Sequence, residues 1–128
     1  MPILIQKAQT SKGTHYVHMH NIGEITGTDA EEMRKLISTG GPLAGLPIIG
    51  VVDAAASFSA EARQVFTKTA TANTPVVMVV KSAPQRVMLS FVARLSSAAA
   101  HTTFFSNETE AIEFVDRFTP DRTPPYPP

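Results

Sequence analysis

One group of residues that could bind a partner or be modified lies in a predicted turn of this 128-residue chain. The group consists of Asp53, Ser57, Phe58 and Ser59. Ser59 stands directly before a helical pattern, and a phosphate at a helix N-terminus meets free backbone N–H groups and a favourable dipole. We therefore predict that these four residues form an interaction surface with an exposed Phe58, switched by modification of Ser57 or Ser59. The alternative is structural, with Ser59 as an N-cap worth about 1 kcal/mol, Ser57 as a turn residue and Asp53 holding its own turn.

A second group is the histidine-rich stretch HYVHMH, in which His18 and His20 share one face of a predicted strand. Their separation of about 6–7 Å would allow both side chains to chelate one ion. A complete site needs a third ligand, for which His101 or a carboxylate is a candidate, but the sequence places neither beside the pair. We predict no metal and no cofactor. A pH-sensitive or interaction surface on an edge strand is the alternative for His18 and His20.

A third group is basic and comprises Lys81, Arg86, Arg63 and Arg94. Lys81 and Arg86 are the candidates for binding an anionic ligand near the strand ends, and the alternative is that these side chains lie on solvated helix faces. The sequence contains no G-x-S-x-G, no glycine-rich phosphate loop and no H-E-x-x-H. We therefore expect a protein that is not an enzyme.

Composition narrows the classes of partner. The chain has 11 basic and 11 acidic residues, so it lacks the positive charge of a general nucleic-acid binder. It contains no cysteine, which excludes disulfides and thiolate sites and is compatible with a reducing compartment. No stretch approaches the ~18 apolar residues of a membrane span, and the N-terminus has no signal-peptide pattern. We expect a cytoplasmic location.

Strands alternating with helices are expected to position these groups. The predicted strands cover residues 3–8, 15–22, 48–54, 76–80 and 102–106, and the predicted order is β-β-α-β-α-β-α-β-α. Three helices carry capping-box patterns, namely Thr28 with Glu31, Ser82 with Gln85 and Asn107 with Glu110. In the third helix Val87 is assigned to the buried stripe. The order predicts an α/β domain with a mixed, mainly parallel five-stranded sheet, covering residues 1–118 and followed by an extended proline-rich tail, 119–128.

Three segments carry a family resemblance: VVDAAASFSAEARQVF at residues 51–66, TPVVMVVKSAPQRVMLSFVARL at 74–95 and TTFFSNETEAIEFV at 102–115. In these segments the chain resembles the SpoIIAA-like fold of STAS domains, and more specifically small bacterial proteins grouped as SpoIIAA-like or STAS/SEC14-like. The resemblance implies that fold. The chain differs from anti-sigma-factor antagonists at residues 57–60. Those proteins carry an Asp-Ser-Ser-Gly phosphoacceptor there, whereas this chain has Ser-Phe-Ser-Ala.

Two functions from different classes remain after these observations. The favoured hypothesis is a non-enzymatic regulatory or protein-interaction domain that acts through the loop from Asp53 to Ser59, with a protein partner or as a homodimer. The alternative, implied by the SEC14-like resemblance, is a carrier or sensor of a small apolar or anionic ligand. The carrier hypothesis predicts an enclosed pocket between a helix pair and the sheet, lined by Met and Phe side chains.

Overall fold

Helices and short strands alternate along the chain in a computed structural model that describes residues 3–37, 41–43, 45–68, 76–94 and 102–118. The elements are β1 (Ile3–Gln9), β2 (His15–Asn21), β3 (Glu24–Ile25), α1 (Gly27–Ile37), β4 (Ile48–Val52), β5 (Ser57–Phe58), α2 (Ala60–Lys68), β6 (Val76–Val80), α3 (Ala83–Arg94), β7 (Thr102–Phe105) and α4 (Glu108–Phe118). The predicted proline-rich tail lies outside the described residues. No helix in the described ranges combines the length and the hydrophobicity needed to cross a membrane.

The main sheet of the described chain has five strands in the order β1-β2-β4-β6-β7. β1 pairs antiparallel with β2 as an edge hairpin, and every other pair in the sheet is parallel. β6 reads Val-Val-Met-Val-Val, the continuous apolar run expected of a strand that is covered on both faces. The predicted α/β class, with a mixed and mainly parallel five-stranded sheet, is confirmed.

Alternation along the strands divides the interior into two cores, one on each face of the sheet. The larger core contains Val17, Ile48 and Val80, and the helices α1, α2 and α3 contribute Ala30, Ala62 and Leu89. The smaller core contains Tyr16, Ile49, Val77 and Val79 beneath Ala111 and Val115 of α4. His18 lies on the smaller-core face because it is two residues from Tyr16 along β2.

Helix α4 is joined to the N-terminal hairpin by hydrogen bonds near its end. The hydroxyl of Thr10 donates to Asp116 Oδ1 at 2.8 Å, and the hydroxyl of Thr14 donates to the same oxygen. Thr14 is 1% exposed, so this contact is made in the protein interior. The hydrogen bonds therefore fix the last described helix against the first two strands.

Two local predictions were wrong. The cap of α1 is Thr26 with Asp29, because Thr26 N donates to Asp29 Oδ2 at 2.9 Å and Asp29 N donates to the Thr26 hydroxyl at 3.3 Å. Thr28 therefore lies inside the helix. Val87 is 71% exposed, whereas Leu89, two residues further along α3, is 6% exposed.

Candidate functional site

The loop after β4 is held by the backbone and side chain of its first residue. Asp53 N donates to Asn21 O at 3.0 Å, which continues the pairing of β4 with β2. The Asp53 carboxylate accepts from Ala55 N at 3.2 Å, and its carbonyl accepts from Ala56 N at 2.9 Å. Asp53 thus makes the turn that the structural alternative assigned to it, while its carboxylate stays exposed.

A two-stranded parallel sheet, formed by β3 and β5, carries the loop into α2. Ser57 N donates to Gly23 O at 2.9 Å, and Ser59 N donates to Ile25 O at 3.0 Å. Gly23 has a φ of 70°, a left-handed conformation that glycine adopts at little cost. Ser57 is therefore a strand residue rather than a turn residue, and its side chain is exposed.

Phe58 is a core residue, and the prediction that it is exposed was wrong. It is 9% exposed and packs edge-on against Phe66, with 5.6 Å between ring centroids and 70° between the ring planes. The reason is the alternation of β5, in which Ser57 faces outward and the next side chain must face the core. Phe58 fixes the loop to the core.

Ser59 caps helix α2. Its hydroxyl oxygen accepts from Ala62 N at 3.1 Å, and its carbonyl accepts from Arg63 N at 3.0 Å. The side chain satisfies one of the free N–H groups in the first turn, as an N-cap residue does. The structure thus distinguishes the two serines, because the Ser57 side chain is exposed and the Ser59 hydroxyl is engaged in the helix.

Gln85, in the first turn of α3, binds the same loop from the other side. Its Nε2 lies 3.0 Å from Asp53 O, 3.3 Å from Ala54 O and 2.8 Å from Ala56 O. Its Oε1 is buried and has no hydrogen-bond partner among the described residues. Sequence reasoning missed this role, because the spacing from Ser82 predicts only a capping box.

The two basic candidates lie at the start of α3 and just before it. Lys81 follows β6 and is exposed, and Arg86 is half-buried in the first turn of the helix. Neither takes part in a salt bridge within the described ranges. We define the rim as residues 21–23, 53–57 and 81–82, where β2, β4 and β6 end side by side.

The histidine pair lies on the opposite side of the molecule from α1 and α2. His18 Nε2 is 2.8 Å from Glu108 Oε1 at the start of α4, and His20 is half-buried on the same strand face. Burial and the nearby Glu108 carboxylate both raise the pKa of Tyr16, which shares this face. No three His, Asp or Glu side chains among the described residues are grouped to hold a metal ion. His101, one of the candidates for a third ligand, lies outside those residues.

A groove of about 790 Å³ runs between α1 and α2. Its charged lining consists of Glu31, Glu32 and Glu61 with Arg34 and Lys35. The groove is open to solvent, and its lining includes five charged residues and no Met or Phe, so it differs from the enclosed pocket that the carrier hypothesis predicts.

Comparison with known proteins identifies the family. The model of a domain of unknown function, DUF7793, matches residues 9–119. The chain belongs to the DUF7793 family. Its fold is similar to that of an uncharacterized protein of the DUF3478 family with a SpoIIAA-like fold from Shewanella loihica PV-4, with a TM-score of 0.63 and 17% identity. The match covers 88% of this chain and 93% of that one, so the predicted SpoIIAA-like fold is confirmed. No curated protein matches the sequence.

Proposed function

We propose that this DUF7793 protein is a non-enzymatic interaction domain that binds a protein partner through its rim. The supporting observation is a loop with a fixed backbone and exposed side chains. Gln85 and β3 hold the loop backbone through hydrogen bonds, whereas Asp53, Ala54, Ala55 and Ser57 are exposed. A loop that is ordered before binding loses little conformational entropy when a partner docks.

The chemical groups at the rim are consistent with a binding role. The carboxylate of Asp53 accepts a hydrogen bond within its own turn. Two residues beyond the rim, the hydroxyl of Ser59 caps α2. Both groups therefore accept hydrogen bonds that stabilise the local backbone. The proposal assigns no catalytic residue.

Ser57 is the position at which we propose that binding is regulated. Its side chain is exposed on the rim, and its neighbours Ala54 and Ala55 are exposed and small. A phosphate on Ser57 would add about 1.5–2 negative charges beside Asp53, which would change the rim by like-charge repulsion. Phosphorylation of Ser59 would instead compete with the cap of α2.

The test is affinity capture from a lysate of the source organism, with the captured proteins quantified by mass spectrometry. Wild type, Ser57→Asp, Ala55→Arg and Ser11→Asp are compared. Ser11 is an exposed residue in the turn between β1 and β2, at the other end of the sheet, and gives a matched control for added charge. We expect Ser57→Asp and Ala55→Arg to lose a partner that wild type and Ser11→Asp retain.

Thermal unfolding of each variant separates loss of binding from loss of structure. The rim proposal requires that the two rim variants unfold at the wild-type temperature. Equal capture by all four proteins, or a loss that follows the melting temperature, would contradict it.

A further inference from the structure

Strand β1 forms one edge of the main sheet, and within the described ranges it pairs with β2 alone. The pairing runs residue for residue, from Ile3 opposite Asn21 to Gln9 opposite His15, without a bulge. A strand directs only about half of its backbone N–H and C=O groups toward one neighbour, so the other half of those in β1 point outward. Outward groups of this kind are a template for a further strand.

This edge lacks most of the features that keep edge strands from pairing. Native edges are blunted by short length, proline, bulges or several charges. β1 has seven residues, contains no proline and carries one charge, that of Lys7. The edge strand on the other side of the sheet, β7, has four residues. Leu4 of β1 is also 49% exposed, so the edge offers an apolar side chain beside its free backbone groups.

The sequence of β1 is complementary to itself in one antiparallel register. Opposed residues must point to the same face of the sheet, which allows only registers centred on a residue. The register that uses the whole strand is centred on Gln6. It places Leu4 opposite Ala8 of the other copy, and Ile5 opposite Lys7. A register centred on Lys7 would oppose two ammonium groups and leave part of each strand unpaired.

We propose that β1 pairs antiparallel with β1 of a second copy, about a twofold axis at Gln6, so that the two main sheets become continuous. One contact then satisfies the free edges of both copies, as an isologous interface does. The paired strands exchange about six to eight main-chain hydrogen bonds. The side-chain amides of the two Gln6 residues meet on the axis, where each can donate to the other.

The dimer interface is small and lies apart from the rim, so the proposal does not rest on the proposed function. A single pair of seven-residue strands buries less surface than an obligate dimer does. We therefore expect a dimer that dissociates on dilution. Rim variants should leave it intact.

The first experiment is sedimentation equilibrium of the full chain across a wide concentration range. Wild type is expected to dimerise. Leu4→Lys removes the apolar contact with Ala8 of the other copy and adds a second positive charge to the edge, and we expect it to raise the dimer dissociation constant about tenfold or more. The matched control is Val87→Lys, which makes the same exchange at an exposed apolar position of α3.

The second experiment tests the register by disulfide formation, which is clean because the chain contains no cysteine. Gln6→Cys places two thiols on the twofold axis, with their Cα atoms about 4.5–5.5 Å apart, within the range that a disulfide spans. In Lys7→Cys the two positions are offset by about 6.8 Å along the strands, too far for a bridge. Under mild oxidation we expect a covalent dimer of Gln6→Cys and none of Lys7→Cys.

Circular dichroism checks that each variant keeps the wild-type content of helix and strand. A wild type that stays monomeric at every concentration overturns the proposal. A dimer that Leu4→Lys weakens no more than Val87→Lys does also overturns it. Disulfide formation by Lys7→Cys as fast as by Gln6→Cys would exclude pairing about Gln6.

Discussion

Among single residues, Gln85 is the one whose side chain holds the backbone of the loop after β4. Its amide group reaches three carbonyls of the loop that begins at Asp53. An amide has two N–H donors, so the three contacts share two hydrogens. The orientation is fixed by the carbonyls, because Oε1 in the same place would face oxygen on three sides. The loop conformation therefore depends on a side chain from another helix.

We expect Gln85→Leu to lower the free energy of unfolding by about 1 kcal/mol, because carbonyls of the loop lose their donor. The loop should also open more often, which raises the hydrogen-exchange rate of Ala55 and Ala56. Urea unfolding and amide exchange measure the two effects. The control is Gln6→Leu, at an exposed position of β1. An exchange rate as low as in wild type would show that Gln85 does not hold the loop.

The two serines should differ in the same way that their surroundings differ. Ser59→Ala removes the acceptor of Ala62 N and should cost about 1 kcal/mol, because a helix N-cap is lost. Ser57→Ala, at an exposed strand position, should change stability by no more than about 0.5 kcal/mol. Urea unfolding of both variants measures the difference. Equal effects would mean that the cap contributes nothing to stability.

At the scale of elements, helix α1 depends on close contact with α2. Gly27 is the first residue of α1, and its missing side chain is what admits Glu61. Alanine normally stabilises a helix relative to glycine. Here the added Cβ would overlap a neighbouring helix, so packing should outweigh propensity.

Gly27→Ala should therefore destabilise the protein by about 1–3 kcal/mol, since α1 and α2 must move apart to admit the methyl group. Thermal or urea unfolding determines the sign. In a double-mutant cycle, Glu61→Gly should remove most of the effect, because it deletes the atom that the new Cβ meets. Stabilisation by Gly27→Ala would contradict the packing derived from the structure.

Sequence patterns predicted the main sheet well because its central strands β4 and β6 are continuous apolar runs and β2 alternates between two faces. They did not predict β3 and β5, since two residues are too few to show alternation. The same omission explains Phe58, which became predictable as a core residue only once Ser57 was known to be in a strand. The α1 cap was assigned to Thr28 rather than Thr26 because both threonines are followed three residues later by an acid.

The hydrogen bonds from Gln85 to the loop after β4 could not be predicted from the spacing of neighbouring residues in the sequence. Its partners lie about thirty positions earlier in the chain, and only the packing of α3 beside the β4 loop brings them together. The same holds for the contact of Gly27 with Glu61.

At the scale of the whole molecule, α4 is the described helix that covers the second face of the sheet. Tyr16 lies beneath it in the smaller core, with Glu108 nearby. Burial, and then the carboxylate, raise the pKa of the Tyr16 phenol above its usual value of 10.0. Both effects disfavour the phenolate in the folded state.

The pH dependence follows from that direction. Above pH 10.0 the unfolded chain loses the Tyr16 proton before the folded protein does, so the free energy of unfolding falls as pH rises through the folded pKa. Tyr16→Phe should remove this part of the fall and leave the rest of the alkaline profile unchanged. Urea unfolding of both proteins between neutral and alkaline pH measures the difference. Parallel curves for the two proteins would contradict the assignment.

The attachment of α4 to the hairpin also limits how the chain can fold during synthesis. Thr10 and Asp116 are 106 positions apart, and His18 and Glu108 are 90 apart. A nascent chain can pair β1 with β2 as soon as both have left the ribosome, but the face that bears Tyr16 stays uncovered until α4 emerges. Contacts between such distant positions form late, because closing a long loop costs entropy before it gains contacts. During translation that face of the hairpin is therefore covered only after α4, which ends at Phe118, has left the ribosome.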